Sequence, residues 1–199
     1  RALLFSDIAP EYYAGMGFAL VGTQRWRCDG PDALDALAEG ADASLLTAIE
    51  SPAERMDLLA GSYQAQHAGR CLHLHRDPDY WDYSLDKNRG ERFVEIGDGE
   101  GYARIFEDTP QGVLYPVELA LRSPDDGRLP EVWRALAMRA RSLGMTSLSS
   151  WLAPPPALSR RFVRGPLDKA IPMIADLATA GSPGVRGARA CAIYSSDHF

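Results

Sequence analysis

Phe5-Ser6-Asp7-Ile8-Ala9-Pro10-Glu11-Tyr12-Tyr13-Ala14-Gly15-Met16-Gly17-Phe18 reads as a strand end, a turn, a short helix and the start of a second strand. The apolar run Ala2-Leu3-Leu4-Phe5 suits a buried strand. Ser6 or Asp7 can cap the following helix, and Pro10 fits its first turn. Gly17 stops that helix as a left-handed cap, and Phe18 to Val21 opens another apolar strand.

Outward from this stretch, the composition is that of a globular protein. The 199 residues are 46% hydrophobic and 24% charged, enough for one large or two small domains. The net charge of −6 disfavours nucleic acid as a partner. The densest basic stretch, Arg160-Arg161-Phe162-Val163-Arg164, reads as a solvated helix end. No apolar run approaches the roughly 20 residues that span a bilayer, and no signal peptide is visible. Cys28, Cys71 and Cys191 are far apart and without metal-ligand spacing, as expected of reduced thiols in a cytoplasmic protein.

Residues 1 to about 27 read as strand, helix, strand, and Arg27 to Pro31 breaks the pattern. A short helix is expected over Pro31 to Ala38, stopped by Gly40. Ser51-Pro52-Ala53-Glu54 starts a helix carrying Met56, Leu59 and Tyr63 on one face. Asp77-Pro78-Asp79 starts another, presenting Tyr80, Trp81 and Leu85. Strands follow at 92–96, 101–107 and 113–121, the first two joined by a Gly97-Asp98-Gly99 turn. Leu129, Val132, Trp133, Leu136, Ala140 and Leu143 make one helical stripe over 129–143. Strands are expected at 146–152, 170–177 and 190–194.

The segment Tyr12-Tyr13-Ala14-Gly15-Met16-Gly17-Phe18 resembles the "FYxxxGF" segment that closes the acyl-binding half of GNAT-type N-acetyltransferases. His75-Arg76-Asp77-Pro78-Asp79-Tyr80-Trp81, Gly101-Tyr102-Ala103-Arg104-Ile105 and Asp197-His198-Phe199 carry the likeness more weakly. The resemblance implies an α+β (α/β) fold: a GNAT-like mixed sheet with flanking helices, and a second, degenerate GNAT-like lobe. It divides the chain into a remnant of a first lobe (1–28), a linker with a short helix (29–52) and a second lobe (53–199). In the family this segment follows the coenzyme A pyrophosphate loop, so roughly 80–120 residues, the balance of a domain of usual size, are expected before Arg1. Acetyl-CoA would be held mainly by residues outside this chain.

That loop, Arg/Gln-x-x-Gly-x-Gly/Ala, offers backbone amides at a helix start to the pyrophosphate. The corresponding place in the second lobe reads Arg122-Ser123-Pro124-Asp125-Asp126-Gly127-Arg128-Leu129-Pro130. Its two aspartates repel phosphate and Pro130 lacks an amide, so this lobe is expected not to bind coenzyme A. Tyr13 matches the family tyrosine that protonates the leaving thiolate, a task suited to a neutral phenol, and Tyr12 is the core candidate. The resemblance also implies that the terminal carboxylate of Phe199 reaches the acceptor site, with His198 beside it as substrate-binding residue or proton relay. Tyr80 and Trp81, among Asp77, Asp79 and Asp82, read as an acidic, aromatic rim for a cationic amine, or as a cap on a solvated face. Glu118 faces that pocket or a partner charge. His73 and His75 share a strand face near His67, yet a metal site needs a third close ligand, and none is expected.

The expected activity is direct transfer of an acetyl group from acetyl-CoA to a primary amine, on a small molecule or a peptide. The chain alone is expected to be inactive. A homo-oligomer is compatible with the sequence, and neither nucleic acid nor membrane is an expected partner. The rivals are a non-catalytic GNAT-like binding or regulatory module, and an unrelated α+β domain with a chance "YYxxxGF".

Overall fold

Periodicity and turn residues divide the chain into ten strands and five α-helices among the residues that the structure, a computed structural model, describes: 2–6, 10–20, 24–68, 74–123, 127–166 and 171–175. β1 (Ala2–Ser6), α1 (Pro10–Ala14) and β2 (Ala19–Leu20) follow the strand–helix–strand reading of the opening stretch. Gly17, at φ 88°, takes the left-handed conformation just past α1. β3 (Arg25–Asp29), α2 (Pro31–Ala38) and β4 (Leu46–Ile49) come next. A 3-10 turn at Pro52–Arg55 leads into α3 (Met56–His67). The Asp77 carboxylate caps α4 (Pro78–Lys87) by accepting from the Tyr80 N–H at 2.8 Å.

β5 (Glu91–Ile96), β6 (Gly101–Asp108) and β7 (Val113–Leu121) form where the three apolar runs place them. α5 (Leu129–Ser142), β8 (Ser147–Ser150), β9 (Val163–Gly165) and β10 (Ile171–Ala175) complete the described elements.

The strands group into two sheets. β10 lies between β1 and β2 and is antiparallel to both, with Ser6 opposite Ile171 and Ile174 opposite Ala19. The larger sheet has the order β4-β5-β6-β7-β8-β3-β9. All its pairs are antiparallel except β7–β8, which run parallel with α5 as the crossover between them. β3 comes from the stretch expected to end the first lobe, and α2 and β4 from the stretch expected as linker. All three are built into this sheet and its cover.

Alternation along the strands sends side chains to two cores. Val94, Ile96, Ala103, Ile105, Leu114 and Leu121 join Leu34 and Leu37 of α2 and Val132, Trp133 and Leu136 of α5. Phe93, Tyr102 and Ala120 join Leu58, Leu59 and Tyr63 of α3 and Trp81 of α4. Each of the Val, Leu, Ile and Phe side chains contributes about 1.5–3 kcal/mol when fully removed from water.

Four local readings need correction. Arg27–Pro31 does not break the sheet: Cys28 points into the core while Arg27 and Asp29 point out, a strand alternation disguised by its charges. β4 and β9 carry too few apolar residues to announce themselves, and pairing with β5 and β3 supplies their order. Leu143 falls just past α5 and is exposed, so the stripe ends one turn earlier.

Two glycines make the packing testable. A Cβ on Gly101 would lie 2.3 Å from the backbone oxygen of Ala120, whereas one on Gly61, inside α3, meets nothing within 4 Å. Gly101→Ala should lower stability by about 2–3 kcal/mol through overpacking. Gly61→Ala should raise it by about 0.5–1 kcal/mol through helix propensity. Urea unfolding midpoints moving in the same direction for both would contradict this packing.

Candidate functional site

Three stretches carry chemistry: the α1 turn, a buried charge cluster under α3 and α4, and the cleft between β7 and β8. In the first, the Tyr13 carbonyl accepts from Met16 and Phe18 N–H groups at 2.9 and 3.2 Å, which folds the Gly-Met-Gly turn back over α1. The Tyr13 ring is half-buried, edge-on to Phe18 at 6.2 Å and to Tyr12 at 5.1 Å. Tyr12 is 59% exposed, so it is not the core member of the pair.

The second stretch centres on Glu118. Its side chain is fully buried and accepts a forked pair of bonds from Arg76, at 2.7 and 3.0 Å. The Tyr102 hydroxyl donates to the same carboxylate, and Arg104 Nη1 lies 3.9 Å from it. Arg104, fully buried too, pairs with Glu91 and donates to the Ser84 hydroxyl at 3.0 Å. The Arg76 guanidinium sits 4.1 Å from the Tyr63 ring centroid, 4.9 Å from that of Trp81 and 5.7 Å from that of Tyr80. Tyr80, Trp81 and Glu118 therefore do meet, as the sequence suggested, but the cation they surround is the chain's own Arg76. Glu118 and Trp81 have no surface to offer an incoming amine.

Arg76, Arg104 and Glu91 were not singled out from the sequence. The legible signal was a charge inside the apolar part of each of two strands, Arg104 in β6 and Glu118 in β7, on neighbouring strands where each charge can answer the other.

The third stretch is a cleft of about 300 Å³. β7 and β8 pair only at Val113–Ser147 and Leu114–Leu148. Beyond that, Pro116 has no N–H to give, and a bulge opposite Arg104 and Ile105 bends β7. β8 instead follows β3, with Ser150 opposite Trp26. The Ser150 hydroxyl donates to the Pro116 carbonyl at 2.5 Å and accepts from Leu152 N–H at 3.0 Å, which bridges the parted strands. Glu91, Phe106, Asp108, Tyr115, Ser149 and Trp151 line the opening. Burial pushes the Glu91 carboxyl above its ordinary value, and neighbouring Arg104 pulls it back in part.

The start of α5 does not suit a pyrophosphate. Pro130 is in its first turn, and Arg128 is engaged by Glu100 at 2.8 Å and Glu131 at 2.6 Å. The carboxylates thus occupy the cation that would greet an anion there. Asp125 and Asp126 lie outside the described residues, as do His73, Cys71, Cys191, His198 and Phe199. Cys28 is a buried free thiol whose pKa burial pushes up, which argues against a nucleophilic role. Among the described residues, no three His, Cys, Asp or Glu side chains gather to hold a metal ion. No helix there is long and apolar enough to cross a membrane.

Glu118→Gln should cost about 3–5 kcal/mol, because it leaves buried arginines uncompensated, whereas the double variant Arg76→Met/Glu118→Leu should cost less than the single one. Denaturant titration gives both values, and a double variant worse than Glu118→Gln would refute the account. The raised Glu91 carboxyl holds its proton more tightly folded than unfolded. Stability therefore falls as pH rises from the ordinary carboxyl value to the raised one. Glu91→Gln should remove that slope, so its stability relative to the parent should climb across this window. A pH-independent difference would show that Glu91 does not titrate so.

The sequence matches no family model, and no curated protein matches it. The fold does match solved structures. A GCN5-related N-acetyltransferase from Anabaena variabilis superposes with a TM-score of 0.57 at 16% identity, over 86% of this chain and 44% of that one. One from Kribbella flavida gives 0.51 at 16% identity, over 86% and 42%. A conserved Enterococcus faecalis protein, described as a probable N-acyltransferase, gives 0.57 at 12% identity, over 86% and 43%. The chain thus spans less than half the length of these structures. At such identities the likeness speaks for architecture, and the architecture of this chain is the GCN5-related N-acetyltransferase (GNAT) fold, a mixed sheet flanked by helices.

Proposed function

We propose that this chain is part of an N-acyltransferase that moves an acetyl group from acetyl-CoA directly to a primary amine. The observation that carries the reading is the GNAT fold itself, with parallel β7 and β8 parting into a cleft beside the α5 crossover. Acetyl-CoA would be held mainly by residues outside this chain, because the start of α5 is closed to a pyrophosphate by Pro130, Glu131 and the engaged Arg128. This unit would then build the acceptor side.

In the transfer, the amine nitrogen attacks the thioester carbonyl. The C–N bond forms, the C–S bond breaks, and the sulfur leaves with the electron pair. The Tyr13 phenol would give that sulfur its proton. The imidazole of His198 would take or hold the proton that the amine sheds. The half-buried setting of Tyr13, edge-on to Phe18, supports its role by holding the phenol in one orientation.

The start of α5 also favours a second reading, a non-catalytic GNAT-like module. Calorimetry and a turnover assay separate the two. The 199-residue chain should bind acetyl-CoA no better than about 1 mM, a weak association on the usual scale. In the protein that contains it, Tyr13→Phe and His198→Ala should each lower kcat at least about tenfold, or 1.4 kcal/mol of transition-state stabilisation, with acetyl-CoA affinity unchanged. Micromolar binding by this chain alone would overturn the reading of α5. Full turnover in both variants would remove Tyr13 and His198 from the mechanism, and no transfer to any amine would leave the module.

A further inference from the structure

We propose that the outer edge of β9 takes up an extended, acidic segment of another protein as an added strand, its carboxylates alternating with β-branched residues. The proposal does not depend on the acyltransfer reading. Among the described residues, β9 ends the seven-stranded sheet and pairs with β3 alone. An edge strand turns the N–H and C=O groups of alternate residues outward, where a further strand can meet them. The pairing sets Arg164 opposite Trp26 and Val163 opposite Arg27. The Arg164 guanidinium lies over the Trp26 ring, 5.8 Å from its centroid, which places both on one face. Val163, 72% exposed, falls on the other face by strand alternation. A strand laid beside β9 would therefore set its carboxylates toward Arg164 and its β-branched side chains toward Val163.

Charge selects the occupant. Arg160 and Arg161, both exposed, sit in the 3-10 turn just ahead of β9, and with Arg164 they put three cations along this edge. Among the described residues, none of the three pairs with a carboxylate. Asp29 is held by Arg27 at 3.0 Å, and Asp35 of α2 by Arg141 at 2.6 Å. Arg25 is set aside, because it lines the cleft with Glu91 and Asp108. Asp32, in the first turn of α2, is the one further acid carried by the elements next to this edge. The balance is positive, in a chain whose net charge is −6. A central arginine and a length of three residues blunt an edge against its own kind. A second β9 would bring its arginines against these, whereas an acidic strand would be drawn in. A nucleic acid offers phosphates but no row of N–H and C=O groups, and the charge of the rest of the chain opposes a long polyanion.

The probe is an end-capped heptapeptide alternating glutamate and valine, titrated into the 199-residue chain and followed by calorimetry and by amide NMR shifts. It should bind with a Kd of about 0.1 mM or tighter, and more weakly as salt is raised. Its shifts should centre on residues 25–27 and 160–165. One control alternates lysine and valine. The other is the acidic peptide N-methylated throughout, which keeps its charge and side chains but cannot donate to a strand. Each control should bind at least about tenfold more weakly. Arg164→Glu should weaken the acidic peptide at least about tenfold, and the double variant Arg160→Ala/Arg161→Ala at least about threefold, with far-UV circular dichroism unchanged in both. Arg89→Glu, an exposed charge change beside β5 toward the opposite edge of the sheet, should leave the affinity as it is. Equal affinity for the acidic peptide and either control would overturn the proposal. So would shifts centred elsewhere, or binding that both the Arg164 variant and the double variant leave untouched. Tighter binding of a short single-stranded DNA or of phosphatidylserine vesicles than of the peptide would overturn it too, and so would a dimer that Arg164→Glu dissolves.

Discussion

Glu118 carries a full charge into the middle of a sheet face, and that face is arranged to answer it. Isolated there, a carboxylate would cost several kcal/mol and would take up a proton instead. The forked Arg76, the Tyr102 hydroxyl and the more distant Arg104 spare it that. Each partner then needs a setting of its own. Arg76 is stacked among Tyr63, Trp81 and Tyr80, which fixes how α3 and α4 lie over the sheet. Arg104 leans on Ser84 of α4 and on Glu91 at the start of β5. Two arginines and two glutamates thus close a cluster of no net charge that ties both helices to three strands.

The opposite face is held by shape. α2 and α5 lay Leu34, Leu37, Val132, Trp133 and Leu136 on the other parity of the same strands. Such packing tolerates small repacking, whereas the charged face tolerates little, because each of its members is the compensation for another. The parallel β7–β8 pair is where the two regimes meet. α5 must cross from the end of β7 to the start of β8, and Pro116 with its neighbouring bulge bends β7 away just past the two paired residues. The cleft is a consequence of that bend.

Where local pattern and tertiary setting agreed, the sequence was easy to read. The strand–helix–strand opening, the Pro78 helix start, the 97–100 turn and the α5 stripe all follow from residue type and spacing. β3 hid because its outward residues are charged and its inward ones are a tryptophan and a cysteine, so alternation looked like a break. Tyr12 and Tyr13 are alike in sequence, and only the fold of the Gly-Met-Gly turn decides which one is covered. The aromatic, acidic constellation of Tyr80, Trp81 and Glu118 was legible as a cation site. Its occupant was not, because Arg76 reaches it from a loop position that no periodicity marks.

Glu91 joins the two chemistries of this face. One side of its carboxyl belongs to the neutral cluster through Arg104, and the rest of the side chain lines the cleft. Arg104 pairs closely with Glu91 and lies farther from Glu118, which the forked Arg76 answers. The hold of α4 on the sheet and the charge state of Glu91 are therefore coupled through one guanidinium, which donates to Ser84 and pairs with Glu91.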